Sequence, residues 1–276
     1  MKSLHLLGLV LAVGLGAVVA RSEADGPRVE LPHTQRRELV STRMGWTYQL
    51  SINLPEDYAT SGKTYPVLYV LDGVWNFALL AGIEDGLYYG QRLPALIIVA
   101  VDYGLPYDGI MRRREHDFTP TDWAKHPGSG GAAEFLAFLE KELVPYIDRT
   151  FRTNPADRAL LGHSYGGLFG VYAWLERPAL FQRIVAASPS LRWDDECLTK
   201  LAAARLAQQE FPSRLDLSMG SAEDPEAIAA VQRFAALLEK SPPRSGTWDF
   251  TLYPGENHTS VKPLSLTHGL AWVYRP

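Results

Sequence analysis

The sequence predicts an α/β fold with a mostly parallel central sheet and helices on both faces. Three observations carry that expectation. Val67-Leu68-Tyr69-Val70-Leu71 and Ala95-Leu96-Ile97-Ile98-Val99-Ala100-Val101 are unbroken apolar runs, the pattern of strands covered on both faces. Helix-period and strand-like segments alternate from Ala132 onward, as they do when helices serve as crossovers between parallel strands. No repeat or low-complexity tract interrupts the alternation.

Taken in order, Tyr48, Leu50, Ile52 and Leu54 alternate with Thr47, Gln49, Ser51 and Asn53, a period of two that marks a half-buried strand, and Pro55-Glu56-Asp57 ends it. The two apolar runs stop at Asp72-Gly73 and Asp102-Tyr103-Gly104. Tyr103 to Gly131 is long for a loop in a compact domain, and loops of that length are usually functional. Phe135, Leu136, Leu139, Leu143 and Ile147 recur at helical spacing, so Ala132 to Asp148 reads as an amphipathic helix, with Pro145 as a kink or stop near its end. Arg158 to Gly162 is a short strand and Gly167 to Glu176 a helix. Ile184 to Ala187 and Leu215 to Met219 are further strands. Ala227 to Lys240 is a helix with Ile228, Val231, Ala235 and Leu238 on one face. Trp248 to Tyr253 is the last strand and Leu264 to Tyr274 a closing helix.

At 276 residues, with no linker in view, the chain reads as a single domain over residues 22–276. A net charge of -4 supplies no basic field for a phosphate backbone, so nucleic acid is not an expected partner. Lys2, an apolar run from Leu6 to Ala20 and the polar Arg21-Ser22-Glu23 have the layout of a cleavable signal peptide over residues 1–20. The expected location is therefore periplasmic or secreted, with no stable membrane insertion after cleavage. Cys197 is the only cysteine. One thiol makes no internal disulfide and no multi-cysteine metal site, and no metal or cofactor is expected.

Chemistry concentrates in Gly162-His163-Ser164-Tyr165-Gly166. A Gly-x-Ser-x-Gly segment has meaning where it joins a buried strand to a helix, because the serine then sits on a sharp turn that lifts its hydroxyl above the sheet. Leu160 and Leu161 precede it and an apolar helix follows, so Ser164 is the candidate nucleophile of an α/β-hydrolase fold. The same turn offers the Tyr165 amide to a developing oxyanion near a helix N-terminus.

A serine needs a base, and on this fold the base comes last in the chain, after an acid. His258 follows the last strand in Pro254-Gly255-Glu256-Asn257-His258, with His268 in reserve; His163 adjoins Ser164 but points the wrong way to serve it. The acid is expected after Leu215 to Met219, where Gly220-Ser221-Ala222-Glu223-Asp224 offers two carboxylates. Asp224 precedes Pro225 and suits a helix cap, which leaves Glu223 as the acid and Asp224 as the alternative. Gly73 permits close backbone approach after the strand ending at Leu71, so the Val74 amide is the second candidate oxyanion donor.

Together these segments resemble the esterase family that contains enterochelin (enterobactin) esterases, esterase D and feruloyl esterases, with the mycolyltransferases as cousins. The resemblance runs from about Trp46 to Tyr274. It rests on Val70-Leu71-Asp72-Gly73, Arg114-Glu115-His116-Asp117-Phe118-Thr119-Pro120, Gly162 through Phe169, Ala187-Ser188-Pro189-Ser190 and Glu256-Asn257-His258-Thr259-Ser260-Val261. It implies a serine esterase without a metal, in which Val74 supplies an oxyanion amide while Ser164 and His258 are nucleophile and base. Some members look dyad-like, which leaves the acid open.

An exported chain with an Arg-x-x-Asp-Phe-Thr-Pro segment looks most like periplasmic siderophore esterases, which open the lactone of catecholate iron carriers. Arg113 and Arg114, with Arg112, are candidate contacts for a negatively charged ferric siderophore. Trp75 and Trp193, with Tyr103 and Trp123, are candidates for an aromatic lining. The alternatives are a short-acyl or feruloyl carboxylesterase, an acyltransferase, and a siderophore-binding protein on a hydrolase scaffold.

Overall fold

The computed structural model describes residues 29–276; the expected signal peptide over residues 1–20 and the domain start at Ser22 lie outside the described residues. Leu31–Pro276 form one compact unit. In chain order its elements are β1 (Thr34–Ser41), β2 (Trp46–Asn53), α1 (Tyr58–Ser61), β3 (Tyr65–Val70), α2 (Gly73–Tyr89), β4 (Ile97–Asp102), α3 (Tyr107–Phe118), α4 (Ala132–Phe138), a π-helical turn (Leu139–Leu143), α5 (Val144–Thr150), β5 (Thr153–His163), α6 (Tyr165–Glu176), β6 (Arg183–Ala187), α7 (Trp193–Arg205), β7 (Arg214–Gly220), α8 (Pro225–Lys240), β8 (Thr247–Tyr253) and α9 (Lys262–Val273).

The eight strands form one sheet in the order β1-β2-β4-β3-β5-β6-β7-β8. β1 and β2 pair antiparallel, as do β2 and β4, and every later pair is parallel. Side chains alternate across the strands and feed two cores. Tyr48, Leu50, Tyr69, Val99, Leu160 and Leu217 pack with α4, α6 and α8 on one face, while Leu68, Val70, Ala100, Leu161, Val185 and Ala187 pack with α2 and α9 on the other. Because the central strands are covered twice, their sequences are apolar throughout, as expected for β3 and β4. All parallel strands point their C-terminal ends at one edge, and ligands in open α/β sheets bind there.

Three local differences from the sequence reading have physical causes. Tyr103 to Gly131 is not one long loop, since it holds α3. Its inward face is Ile110, Arg114, Asp117 and Phe118, and two charges on that face hide the helical stripe. The helix expected over Ala132 to Asp148 is broken into α4, the π turn and α5. Pro145 has no amide to donate one turn back, and the Val144 amide reaches Leu139, five residues earlier. Helix α6 starts at Tyr165 rather than Gly167. Among the described residues, no helix is long and apolar enough to cross a membrane. Cys197, on α7, is half-buried, and burial followed by the nearby Asp194 charge pushes its thiol up to about 11.

Candidate active site

Ser164 caps α6 directly after β5, with φ 62° and ψ −119°. A non-glycine residue in that region costs about 1–3 kcal/mol, and it persists because the surroundings fix it. The Ser164 amide donates to Ala187 O at 3.0 Å, which ties the turn to the end of β6, and Leu168 N donates to Ser164 O at 2.9 Å to start the helix. The strand and helix approach so closely that a Cβ on Gly162 would overlap the Gly166 carbonyl. Glycine at position 162 is what permits this approach.

Glu223 and His258 come from loops after β7 and β8. The His258 ring places Nδ1 2.6 Å from Glu223 Oε2, with the imidazole side chain 48% exposed and the carboxylate only 3% exposed. The other carboxylate oxygen accepts from Ser188 Oγ and from the Gly220 amide, each at 2.7 Å. Burial raises the Glu223 carboxyl, but the hydrogen bonds from His258, Gly220 and Ser188 outweigh it and hold the group below its ordinary range. An ionised carboxylate only accepts, so Nδ1 of His258 is the donor in this contact, and in the neutral imidazole the lone pair then lies on Nε2. That is the tautomer a general base requires.

His163 Nε2 donates to the His258 carbonyl at 2.8 Å, and the two rings lie 4.5 Å apart. Burial, with the neighbouring His258 and Lys262 charges, lowers His163 to about 3, so it is a neutral prop for the His258 loop. The other candidates fall elsewhere. Asp224 caps α8 through the Glu226 amide and pairs with Arg192 at 2.8 Å. His268 lies on α9, 3.1 Å from the Tyr253 hydroxyl.

Val74 and Tyr165 lie in the first turns of α2 and α6, where an amide has no carbonyl one turn back to pair with. Asp72, before α2, is held at φ 56° and ψ 52°. Its carbonyl accepts from Trp75 and Asn76. Its carboxylate accepts two bonds from Arg114, at 2.9 and 2.8 Å.

Arg114, expected as a substrate contact, is engaged here by a carboxylate of the chain itself. The guanidinium is buried and committed to Asp72, so Arg114 positions the start of α2. Trp193, expected in an aromatic lining, is also engaged within the chain. It is buried, donates its indole N–H to Thr121 Oγ1 at 3.0 Å, and backs Tyr165 edge-on at 5.5 Å. Trp75 stays partly exposed, against Tyr107 at 6.2 Å. Arg113 stacks on Trp46, its guanidinium carbon 3.0 Å from the ring centre. With Arg112 it lines a cavity of about 670 Å³ that also includes Leu105, Pro106 and His116. Ser188 and Gly220 were missed as partners of Glu223; Ala187-Ser188-Pro189-Ser190 stands out in the sequence, but only the fold brings it to Glu223.

An eight-stranded sheet in this order, with a serine on the turn between a buried strand and a helix, defines a serine hydrolase of the α/β-hydrolase fold. Residues 41–258 match the family described as "Putative esterase", and the chain belongs to that esterase family. It is a serine esterase acting on carboxylic ester bonds. A siderophore triacetylfusarinine C esterase from Aspergillus fumigatus is 32% identical, covering 89% of this chain and 94% of its own. The ferri-bacillibactin esterase BesA of Bacillus subtilis is 28% identical over 89% of this chain and 91% of its own. Among solved structures, an IroE-like serine hydrolase from Shewanella oneidensis matches with a TM-score of 0.80 and 29% identity, over 87% of this chain and 80% of that one.

Proposed function

We propose that this esterase works through Ser164 as nucleophile, His258 as base and Glu223 as the acid that orients the base, on an ester bond of a siderophore. The hydrogen bond of 2.6 Å between His258 Nδ1 and Glu223 Oε2 carries the reading, because it selects the tautomer of the neutral imidazole whose lone pair lies on Nε2. His258 takes the Ser164 proton as Oγ attacks the ester carbonyl. The Tyr165 and Val74 amides hold the resulting oxyanion. His258 then returns the proton to the leaving alcohol, and water, activated by the same imidazole, releases the acid from the acyl-enzyme.

The siderophore assignment draws on the relatives named above and, secondarily, on the wall of Arg112, Arg113 and Trp46, in a cavity that also holds Asp108 and that none of Ser164, Glu223 and His258 lines. Guanidinium groups pair with the negative charge of a ferric catecholate complex, and aromatic rings stack on catechol. We propose an exported location on the layout of residues 1–20. A panel of a catecholate trilactone, a feruloyl ester and nitrophenyl acetate, compared by kcat/KM with product masses, tests the substrate. A trilactone no better than nitrophenyl acetate removes the siderophore reading, and acyl products on added alcohols would turn it into a transferase. Sequencing the mature N-terminus from cell fractions tests export.

A further inference from the structure

A second cavity, of about 720 Å³, opens between the C-terminal half of α2 and the turn from β2 to α1, and none of Ser164, Glu223 or His258 lines it. Its size is that of a small-molecule site. Asn76, Leu80 and Glu84 succeed one another at four-residue spacing on the inward side of α2, and all three are buried. Glu84 is only 9% exposed, yet it lines the cavity, and its carboxylate has no hydrogen bond or ion pair among the described residues. A buried carboxylate without a partner is costly when ionised.

The charges around it do nothing to relieve that cost. Glu56, Asp57 and Asp85 share the wall, and among the described residues His33 is the one basic side chain on it. Asp57 is paired with Lys63 at 3.1 Å, and Glu56 accepts from the Tyr89 hydroxyl at 2.9 Å, so neither of these partners turns to Glu84. Asn53 and Thr60 add neutral polar groups to the wall, and Leu54, Ala81, Tyr88 and Tyr89 give it apolar and aromatic surface. Among the described residues no group of His, Cys, Asp or Glu has the makings of a metal site.

We propose that this cavity binds a small organic cation, an alkyl amine or diamine, whose ammonium pairs with Glu84 while its stem lies against Leu54, Ala81 and the tyrosine rings. Cation–π attraction to Tyr88 and Tyr89 adds to the pairing. The site is independent of the esterase reading. It nonetheless sits on α2, the helix that begins at Gly73 and Val74.

The pH behaviour gives the test its sign. Burial, with Asp85 beside it, raises Glu84 from the usual 4.5 to about 7. The stability of the neutral buried carboxyl is therefore complete below the unfolded value and lost as pH rises through about 7. An ammonium that pairs with the ionised form counteracts that loss, so binding is stronger on the alkaline side.

The experiment measures Tm and calorimetric Kd with 1,5-diaminopentane at about pH 8 and about pH 5.5, with 1,5-pentanediol and magnesium chloride as controls. We expect the diamine to raise Tm, more at the higher pH, with no shift from the diol or the salt. Glu84→Gln should weaken binding at least tenfold while nitrophenyl acetate hydrolysis stays at the wild-type rate. Ala81→Phe, which keeps the carboxylate but puts a ring into the cavity one turn from Glu84, should also weaken binding at least tenfold and serves if Glu84→Gln fails to fold. Equal shifts from diol or magnesium, full binding by either variant, or no binding at millimolar diamine overturns the proposal.

Discussion

Oε2 of Glu223 stands 2.6 Å from Nδ1 of His258, whereas the neighbouring Asp224 turns away to cap α8. The contact closes a circuit. The Ser164 amide bonds to Ala187, Ser188 next to it bonds to Glu223, Glu223 to His258, and the His258 carbonyl to His163, which is covalently joined to Ser164. Four strand ends are fixed against one another by this route, without a covalent cross-link.

Ser164→Ala and His258→Ala are each expected to lower kcat for short nitrophenyl esters by roughly four to six powers of ten. Circular dichroism and Tm should remain near wild type. Fluorophosphonate labelling should vanish in Ser164→Ala; activity surviving in both variants would remove the proposed pair.

Glu223→Gln keeps the shape but loses the negative charge that selects the tautomer, and kcat should fall by roughly two to four powers of ten. Asp224→Ala removes only a helix cap and an exposed ion pair, so Tm should drop slightly with kcat unchanged. Steady-state kinetics on both variants discriminates the two carboxylates, and the opposite ranking would make Asp224 the acid.

Breaking the Arg114–Asp72 pair leaves one charge buried and alone. Arg114→Met should cost about 3–5 kcal/mol in denaturant unfolding. Asp72→Asn in the same chain should recover part of that loss, because asparagine tolerates the left-handed backbone at this position. Additive losses in the double variant would show that the pair is not coupled.

Asp216, on β7, is buried with Oδ2 unpartnered, and a Cβ on Gly269 of α9 would come within 2.6 Å of that oxygen. Burial, then the Asp249 charge, raises it from 3.8 to about 8. The folded state thus keeps a proton that the unfolded chain releases, and the associated stability is complete below about pH 4 and lost as pH rises through about 8. Asp216→Asn should flatten this decline and exceed wild type by several degrees of Tm at about pH 8. Thermal scans across buffers from about pH 4 to about pH 9 check it, and parallel curves would contradict the assignment.

The parts of this fold that could be read from the chain are those where hydropathy tells the truth. β3 and β4 are covered on both faces and look it. Ser164 and the loop bearing His258 were legible because a strand, a turn and a chain order define their context. β1 was missed since it is an edge strand whose TQRRELVS sequence stays largely exposed. α3 was missed because Arg114 and Asp117 are inward but charged, satisfied by Asp72 and by the Tyr48 hydroxyl at 2.9 Å. α2 is apolar on several sides and interrupted by Gly82 and Gly86, so no single stripe marks it. The pairing of Arg114 was hidden for a related reason, because its partner Asp72 lies 42 residues away.

The single cysteine has a practical consequence. Cys197 is partly shielded on α7 and its thiol stays protonated until about 11, so little thiolate is present at neutral pH to exchange with other disulfides. Recombinant material from a reducing cytoplasm and from an oxidising secretory route should therefore be interchangeable, with no cross-linked dimers to remove and no reductant required in storage.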